Sequence, residues 1–224
     1  MSDATGRLPV VVLISGTGSN LRAIAAQADA GTLPVDIRAV VSDRAEAPGL
    51  AWAADAGLET AVVPARGFPD RAAFDAALAA QIDRHAPGLV VLAGFMRVLG
   101  ADVVQRYEGR MLNIHPSLLP RHRGLHTHRR ALEASDRVHG ASVHFVTPEL
   151  DGGPVVLQAR VPVLDGDDEA TLAARVLAEE HRIYPECIGW YAAGRLQLRR
   201  GVVFLDGRAL EAPVVRDGRG DLAA

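Results

Sequence analysis

Residues 10–14, VVVLI, form an uninterrupted apolar run of five residues, four of them β-branched. Without polar alternation such a run has no solvent face, so it reads as a strand buried on both sides, as in the interior of a parallel sheet. Ser15, Gly16, Thr17, Gly18, Ser19 and Asn20 follow as a tight polar turn, and Leu21, Ile24, Ala25 and Ala28 then repeat at helical spacing. Strand, small-residue loop and helix in that order open a βαβ unit. Further strands are expected at 37–41, 60–63 and 89–93, separated by helices at 48–56 and 71–85. Asp70 is placed to cap the second of these helices, and Phe74, Leu78 and Ile82 lie on its buried face. The alternation predicts an α/β fold, a mostly parallel sheet with crossover helices.

The second half has a different texture. A short strand at 111–114 leads into a prolyl loop at 116–124, followed by a helix at 127–135, a strand at 141–147, a turn at 151–154 and a strand at 155–163. A long helix at 169–193, interrupted at Pro185, closes the main body. A hairpin turned at Asp206-Gly207 and a frayed tail complete the chain. No internal repeat or linker marks a second domain, so residues 1–224 are expected to form a single domain. Residues 1–7 would be an N-terminal extension, and about 200–224 the hairpin and tail.

Composition excludes whole classes of chemistry. The single cysteine, Cys187, rules out an intrachain disulfide, a cysteine zinc cluster and a CxxC redox pair. All 24 basic residues are arginine, which removes lysine Schiff-base catalysis and the P-loop lysine. A formal net charge of −3 argues against nonspecific nucleic-acid binding and favours small-molecule partners. No apolar stretch is long enough to span a bilayer and no secretory leader is evident, so a cytoplasmic protein without membrane attachment is expected.

Acid-base chemistry therefore falls to His, Asp and Glu. The 16–20 loop opens a helix directly after a buried strand, which sets backbone N–H groups and the positive helix end where an anion would sit. It could equally be a plain turn that needs glycine for its backbone angles. The stronger signal is Asn113, Ile114, His115, Pro116 and Ser117, with Asp151, Gly152 and Gly153 further on. Residues two apart on a strand share a side, so Asn113 and His115 can direct an amide and an imidazole at one point while Ile114 packs behind them. A carboxylate from Asp151 would stabilise the imidazolium of His115 and make it a general acid. The alternative is a buried histidine satisfied by a neighbouring aspartate. Six of the eight histidines lie between His115 and His144. His126-x-His128 nevertheless has poor spacing for zinc on a helix, and HExxH is absent.

The assembled motifs resemble the phosphoribosylglycinamide formyltransferases, the folate-dependent GAR transformylases of purine (IMP) biosynthesis. The motifs are VLISGTGSN at 12–20, LAGFMRVL at 92–99, LNIHPSLLP at 112–120, GLHTHRRALE at 124–133, HGASVHFVTPELDGGPV at 139–155 and EEHRIYP at 179–185, in family order. The resemblance implies a Rossmann-like formyltransferase fold, with helices on both faces of a mostly parallel twisted sheet. It implies transfer of the formyl group of 10-formyltetrahydrofolate, the cosubstrate, to the amine of the ribonucleotide GAR, with no metal. By the same resemblance Gly18, Ser19 and Asn20 hold the GAR phosphate and Glu180 lies near the glycinamide amine. Arg71, Met96, Arg97, Val98, Leu99 and Asn113 contact the folate, and Asn113, His115 and Asp151 are the catalytic trio. A monomer or a homodimer fits equally. Two features depart from the family pattern: Arg121-His122-Arg123 stands where relatives commonly carry an aromatic or aliphatic residue, and the segment beyond Arg199 matches weakly.

Two neighbouring families and one unrelated class remain as alternatives. A methionyl-tRNA formyltransferase shares the trio but adds a C-terminal tRNA domain and lacks the phosphate loop. A formyl-folate hydrolase carries an extra N-terminal regulatory domain. A binding module that is not an enzyme would need the glycine loop alone.

Overall fold

The computed structural model describes residues 6–218. Of the expected N-terminal extension, residues 1–5 lie outside the described residues, as do the last six of the expected tail. In chain order the elements are β1 (Leu8–Ile14), α1 (Ser19–Asp29), β2 (Val35–Ser42), α2 (Pro48–Asp55), β3 (Thr60–Val62), α3 (Arg71–Asp83), β4 (Leu89–Leu92), α4 (Ala101–Arg106) and β5 (Met111–His115). They continue with α5 (Thr127–Glu133), β6 (Val138–Phe145), β7 (Val155–Pro162), α6 (Glu169–Ala192), β8 (Leu196–Arg199), β9 (Val202–Leu205), β10 (Arg208–Ala209) and β11 (Val214–Asp217).

Two compact units divide the chain. The first runs to Asn113 and includes Val146–Pro148; the second holds Ile114–Phe145 and continues from Glu149. In the first unit the strands lie in the order β5-β4-β1-β2-β3, all parallel, with Val10 beside Ile37 and Leu89 and with Leu92 beside Asn113. β1 is thus flanked on both edges, and Val10 to Ile14 have no exposed surface, as their β-branched run predicts. Val11 and Leu13 pack with Phe74, Leu78 and Ile82 of α3 and with Val103 and Tyr107 at α4. The alternate residues face the other way, where Gly49 of α2 backs onto Ile14. Helices therefore cover both faces, the α/β class expected. Asp70 caps α3, accepting from the N–H of Ala73 at 2.8 Å.

In the second unit β6 and β7 pair antiparallel and β11 adds to β7 in parallel. Helix α6 packs on β6 and β7 through Leu172, Val176, Ile183, Tyr184, Cys187 and Ile188, each at most 1% exposed. Three sequence expectations need correction here. α6 runs unbroken through Pro185, because burial of the residues on either side outweighs one missing hydrogen bond. The segment after the hairpin is not simply frayed: Val214–Asp217 forms β11, its N–H and C=O groups completed by the free edge of β7. Short α4 was not anticipated, since six residues give too little periodicity to read. The turn at Asp206-Gly207 occurs as expected, between β9 and β10.

Candidate active site

The loop after β1 is shaped by close backbone approach. Gly18 caps α1 in the left-handed region (φ 70°), and a Cβ there would lie 2.9 Å from Cα of Gly49. Only glycine meets both demands. The N-cap Gly18 supplies no side-chain hydrogen bond and no acidic residue occupies the first turn of α1, so no local carboxylate offsets the positive helix end.

The segment after β4 is tied to its neighbours by side chains. Ser15, buried, accepts from the N–H of Met96 at 2.8 Å, and its own N–H donates to the carbonyl of Gly94 at 3.1 Å. Arg97 Nε donates to Asp43 Oδ2 at 2.7 Å. Asp75 accepts from the N–H of Gly100 at 2.9 Å and lies 3.6 Å from Arg71 Nε. Arg71, Val98 and Leu99, three of the residues singled out for folate, line one cavity of about 790 Å³ together with Asp75, Asp83 and Arg106. Met96 and Val98 are exposed.

In the second unit the structure brings His115 and Asp151 together, with Nδ1 and Oδ2 3.5 Å apart and both side chains buried. The other ring nitrogen, Nε2, donates to the carbonyl of His122 at 3.1 Å. Each nitrogen of His115 therefore faces an acceptor, the arrangement an imidazolium with two N–H donors can satisfy in full. Asp151 sits at φ 47° and accepts from the N–H of Gly124 at 2.8 Å. His144 Nε2 lies 3.8 Å from its Oδ1, and burial pushes the His144 imidazole below its ordinary range. Asn113 precedes His115 by two residues on β5, with Ile114 buried between them, as strand geometry predicts. Glu180 is buried on α6 beside Glu179, whose carboxylate binds Arg182 at 3.1 Å.

The loop that follows β5 is held by several hydrogen bonds. Ser142 Oγ donates to the carbonyl of Ser117 at 2.6 Å and accepts from the N–H of Leu119 at 3.0 Å, while Gln158 donates to the carbonyl of Leu119 at 2.9 Å. Asp136 binds His122 Nε2 at 2.7 Å and also Arg121. His139 Nε2 and His128 Nδ1 share a hydrogen bond of 3.2 Å, and burial lowers the pKa of both, that of His139 to about 4. Among the described residues no group of three or more His, Cys, Asp or Glu side chains could hold a metal ion, and no helix is long and apolar enough to cross a membrane.

Residues 8–188 match the formyl transferase family model. The chain belongs to the formyl transferase family. This formyl transferase is 54% identical over 201 residues to the phosphoribosylglycinamide formyltransferase of Escherichia coli K12, an alignment covering 90% of this chain and 95% of that one. It is similar to the solved phosphoribosylglycinamide formyltransferase of Coxiella burnetii, with a TM-score of 0.90, 50% identity, and coverage of 93% of this chain and 99% of that one. A formyltetrahydrofolate deformylase of Pseudomonas syringae shares the fold (TM-score 0.83, 23% identity), with 89% of this chain covering 66% of that one. Sequence reasoning about this formyl transferase missed His144, Ser15 and Asp43. His144 had a readable signal, the alternation of Gly140, Ser142 and His144 on one face of β6. Asp43 and Ser15 had none, because a single polar residue after a strand is commonplace.

Proposed function

We propose that this formyl transferase carries the formyl group from 10-formyltetrahydrofolate to the amine of 5-phosphoribosylglycinamide, giving formyl-GAR and tetrahydrofolate. The reading rests above all on the buried His115–Asp151 pair at 3.5 Å, found in a chain 54% identical to a relative named for this reaction. The family match spans both compact units, which supports treating the whole chain as a single formyltransferase domain. Both substrates are small molecules, and the reaction calls on no metal.

In this reading the neutral glycinamide amine attacks the formyl carbon, and charge develops on the formyl oxygen of a tetrahedral intermediate, which collapses as the bond from the formyl carbon to N10 of the folate breaks, the amine giving up one proton and N10 taking up one. Asn113 and protonated His115 donate to that oxygen, each well-aimed donor being worth about 2.7 to 4 kcal/mol of barrier. Nε2 of His115, whose present partner is the neutral carbonyl of His122, is the nitrogen free to exchange acceptors. Asp151 stays beside Nδ1, its carboxylate facing the ring. A water held by Asp151 is a route by which the amine proton can leave. The N–H groups at Gly18, Ser19 and Asn20 hold the phosphate, and Glu180 receives the glycinamide amine. Arg71, Met96, Arg97, Val98, Leu99 and Asn113 hold the folate. Holding two reactants in line contributes roughly 7 to 11 kcal/mol in well-oriented systems.

The test is a formyl-transfer assay on chelator-treated protein with each substrate alone and with both. Turnover that requires both is the expected result. Folate consumption without the ribonucleotide would make the protein a hydrolase, and no turnover from folded protein would leave only a binding module.

A further inference from the structure

Asp43 follows β2 and, among the described residues, is the one buried carboxylate at the strand ends of the first unit that the proposed chemistry leaves without a task. Its side chain has no exposed surface. Oδ2 accepts from Arg97 Nε at 2.7 Å, while Oδ1 is buried with no hydrogen-bond partner among the described residues. A buried carboxylate is costly to keep unless it is paired, so the guanidinium is bound to this spot by the cost of leaving. Arg97 is nonetheless 44% exposed. Nε is its inner donor, and Nη1 and Nη2 form no hydrogen bond among the described residues. The arginine is therefore held at its neck with its two-pronged end presented outward. A guanidinium loses less freedom on binding a carboxylate when it is already oriented.

The backbone that carries Arg97 is pinned as well, since the N–H of Met96 donates to Ser15 at 2.8 Å. Ser15, Asp43 and the 94–97 segment follow β1, β2 and β4, three adjacent parallel strands, at the carboxyl ends where such sheets bind ligands. In the cosubstrate assigned above, the permanently anionic groups are the carboxylates of its glutamate moiety, and a guanidinium fork is the matching donor.

We propose that Asp43 is a positioning residue for cosubstrate recognition: by anchoring Arg97 through Nε it fixes the Nη1/Nη2 fork to grip a glutamate carboxylate of the formyl-folate. This rests on the assignment of Arg97 to the folate site, and the variants below separate the two.

Steady-state kinetics would be measured with 10-formyltetrahydrofolate and with 10-formyltetrahydropteroyl methylamide, in which an uncharged amide replaces the glutamate and no carboxylate remains. Asp43→Ala is expected to raise KM for the glutamate-bearing cosubstrate about tenfold while kcat and the ribonucleotide KM stay within about twofold. KM for the glutamate-free analogue should not move. Asp43→Asn, which keeps an oxygen for Nε, should recover most of the affinity, and Asp43→Ala should add nothing to Arg97→Ala in the double variant. Arg97→Lys tests the same point with Asp43 in place: an ammonium cannot serve Asp43 and substrate with separate donors, so its KM should approach that of Arg97→Ala. Equal losses for both cosubstrates in Asp43→Ala, or a wild-type KM in Arg97→Lys, would overturn the proposal. An Asp43→Ala KM unchanged while Arg97→Ala raises it would remove Asp43 and keep Arg97 in the folate site. No effect of Arg97→Ala on either cosubstrate would remove the folate assignment and the positioning role together.

Discussion

The loop after β1 and the surroundings of His115 manage charge in opposite ways. At Gly18 the proposed anion site is made of backbone: a left-handed cap without a side-chain hydrogen bond and a close approach to Gly49 at the start of α1. Around His115 the proposed site is made of ionisable side chains, with Asp151 beside both His115 and His144. A backbone site should tolerate changes in side-chain chemistry but not added volume. A side-chain site should tolerate volume but not a change of charge or of proton count. The difference suits the tasks proposed for them, since a phosphate needs fixed dipoles and a proton transfer needs a group that titrates.

His115→Ala attacks the side-chain site most directly. We expect kcat to fall by about 10³-fold or more, with a melting temperature within about 5 °C of the parent. Normal turnover from the folded variant would sink the assignment. Asp151→Asn keeps the shape and removes the charge, so kcat should fall about 10²-fold with both KM values changed little. A parental kcat in the folded variant would mean that the Asp151 carboxylate has no part in the transfer. Gly18→Ala is the matching attack on the backbone site. It should raise the ribonucleotide KM about tenfold and leave the folate KM near its parent value, with a stability loss of about 1–3 kcal/mol from the strained cap. Equal weakening of both ligands would break the idea of a local phosphate site.

The last prediction concerns stability against pH. The folded-state pKa of His139 is about 4, against 6.5 for an ordinary histidine, and burial is the main cause. Between those values the unfolded chain binds the proton that the folded chain refuses, so stability falls as pH drops from about 6.5 towards 4. His139 contributes at most roughly 1.4 kcal/mol per pH unit in that window. Urea melts from pH 7 to 4 should show this slope, and His139→Gln should flatten it; an equal slope in the variant would assign the loss to other groups.

Legibility followed the range of the interactions. β1, α1 and the Asp70 cap of α3 were readable, because each depends on residues a few positions apart. The continuity of α6 through Pro185 was not, since local propensity argues against it and only burial of Ile183, Tyr184, Cys187 and Ile188 overrules the proline. Nor was β11, whose four residues have no strand identity until the edge of β7 supplies their partners.

By itself the sequence determined the α/β class, the helix end at Gly18 and the candidates Asn113, His115 and Asp151, because hydrophobic period, glycine spacing and residue type act locally and are written in the order of the chain. Only the tertiary structure decided that Asp151 meets both His115 and His144, that the carbonyl of His122 occupies Nε2, and that Asp43 holds Arg97 across 54 positions. Contacts of that kind join residues whose separation along the chain carries no period or motif, so packing alone selects them.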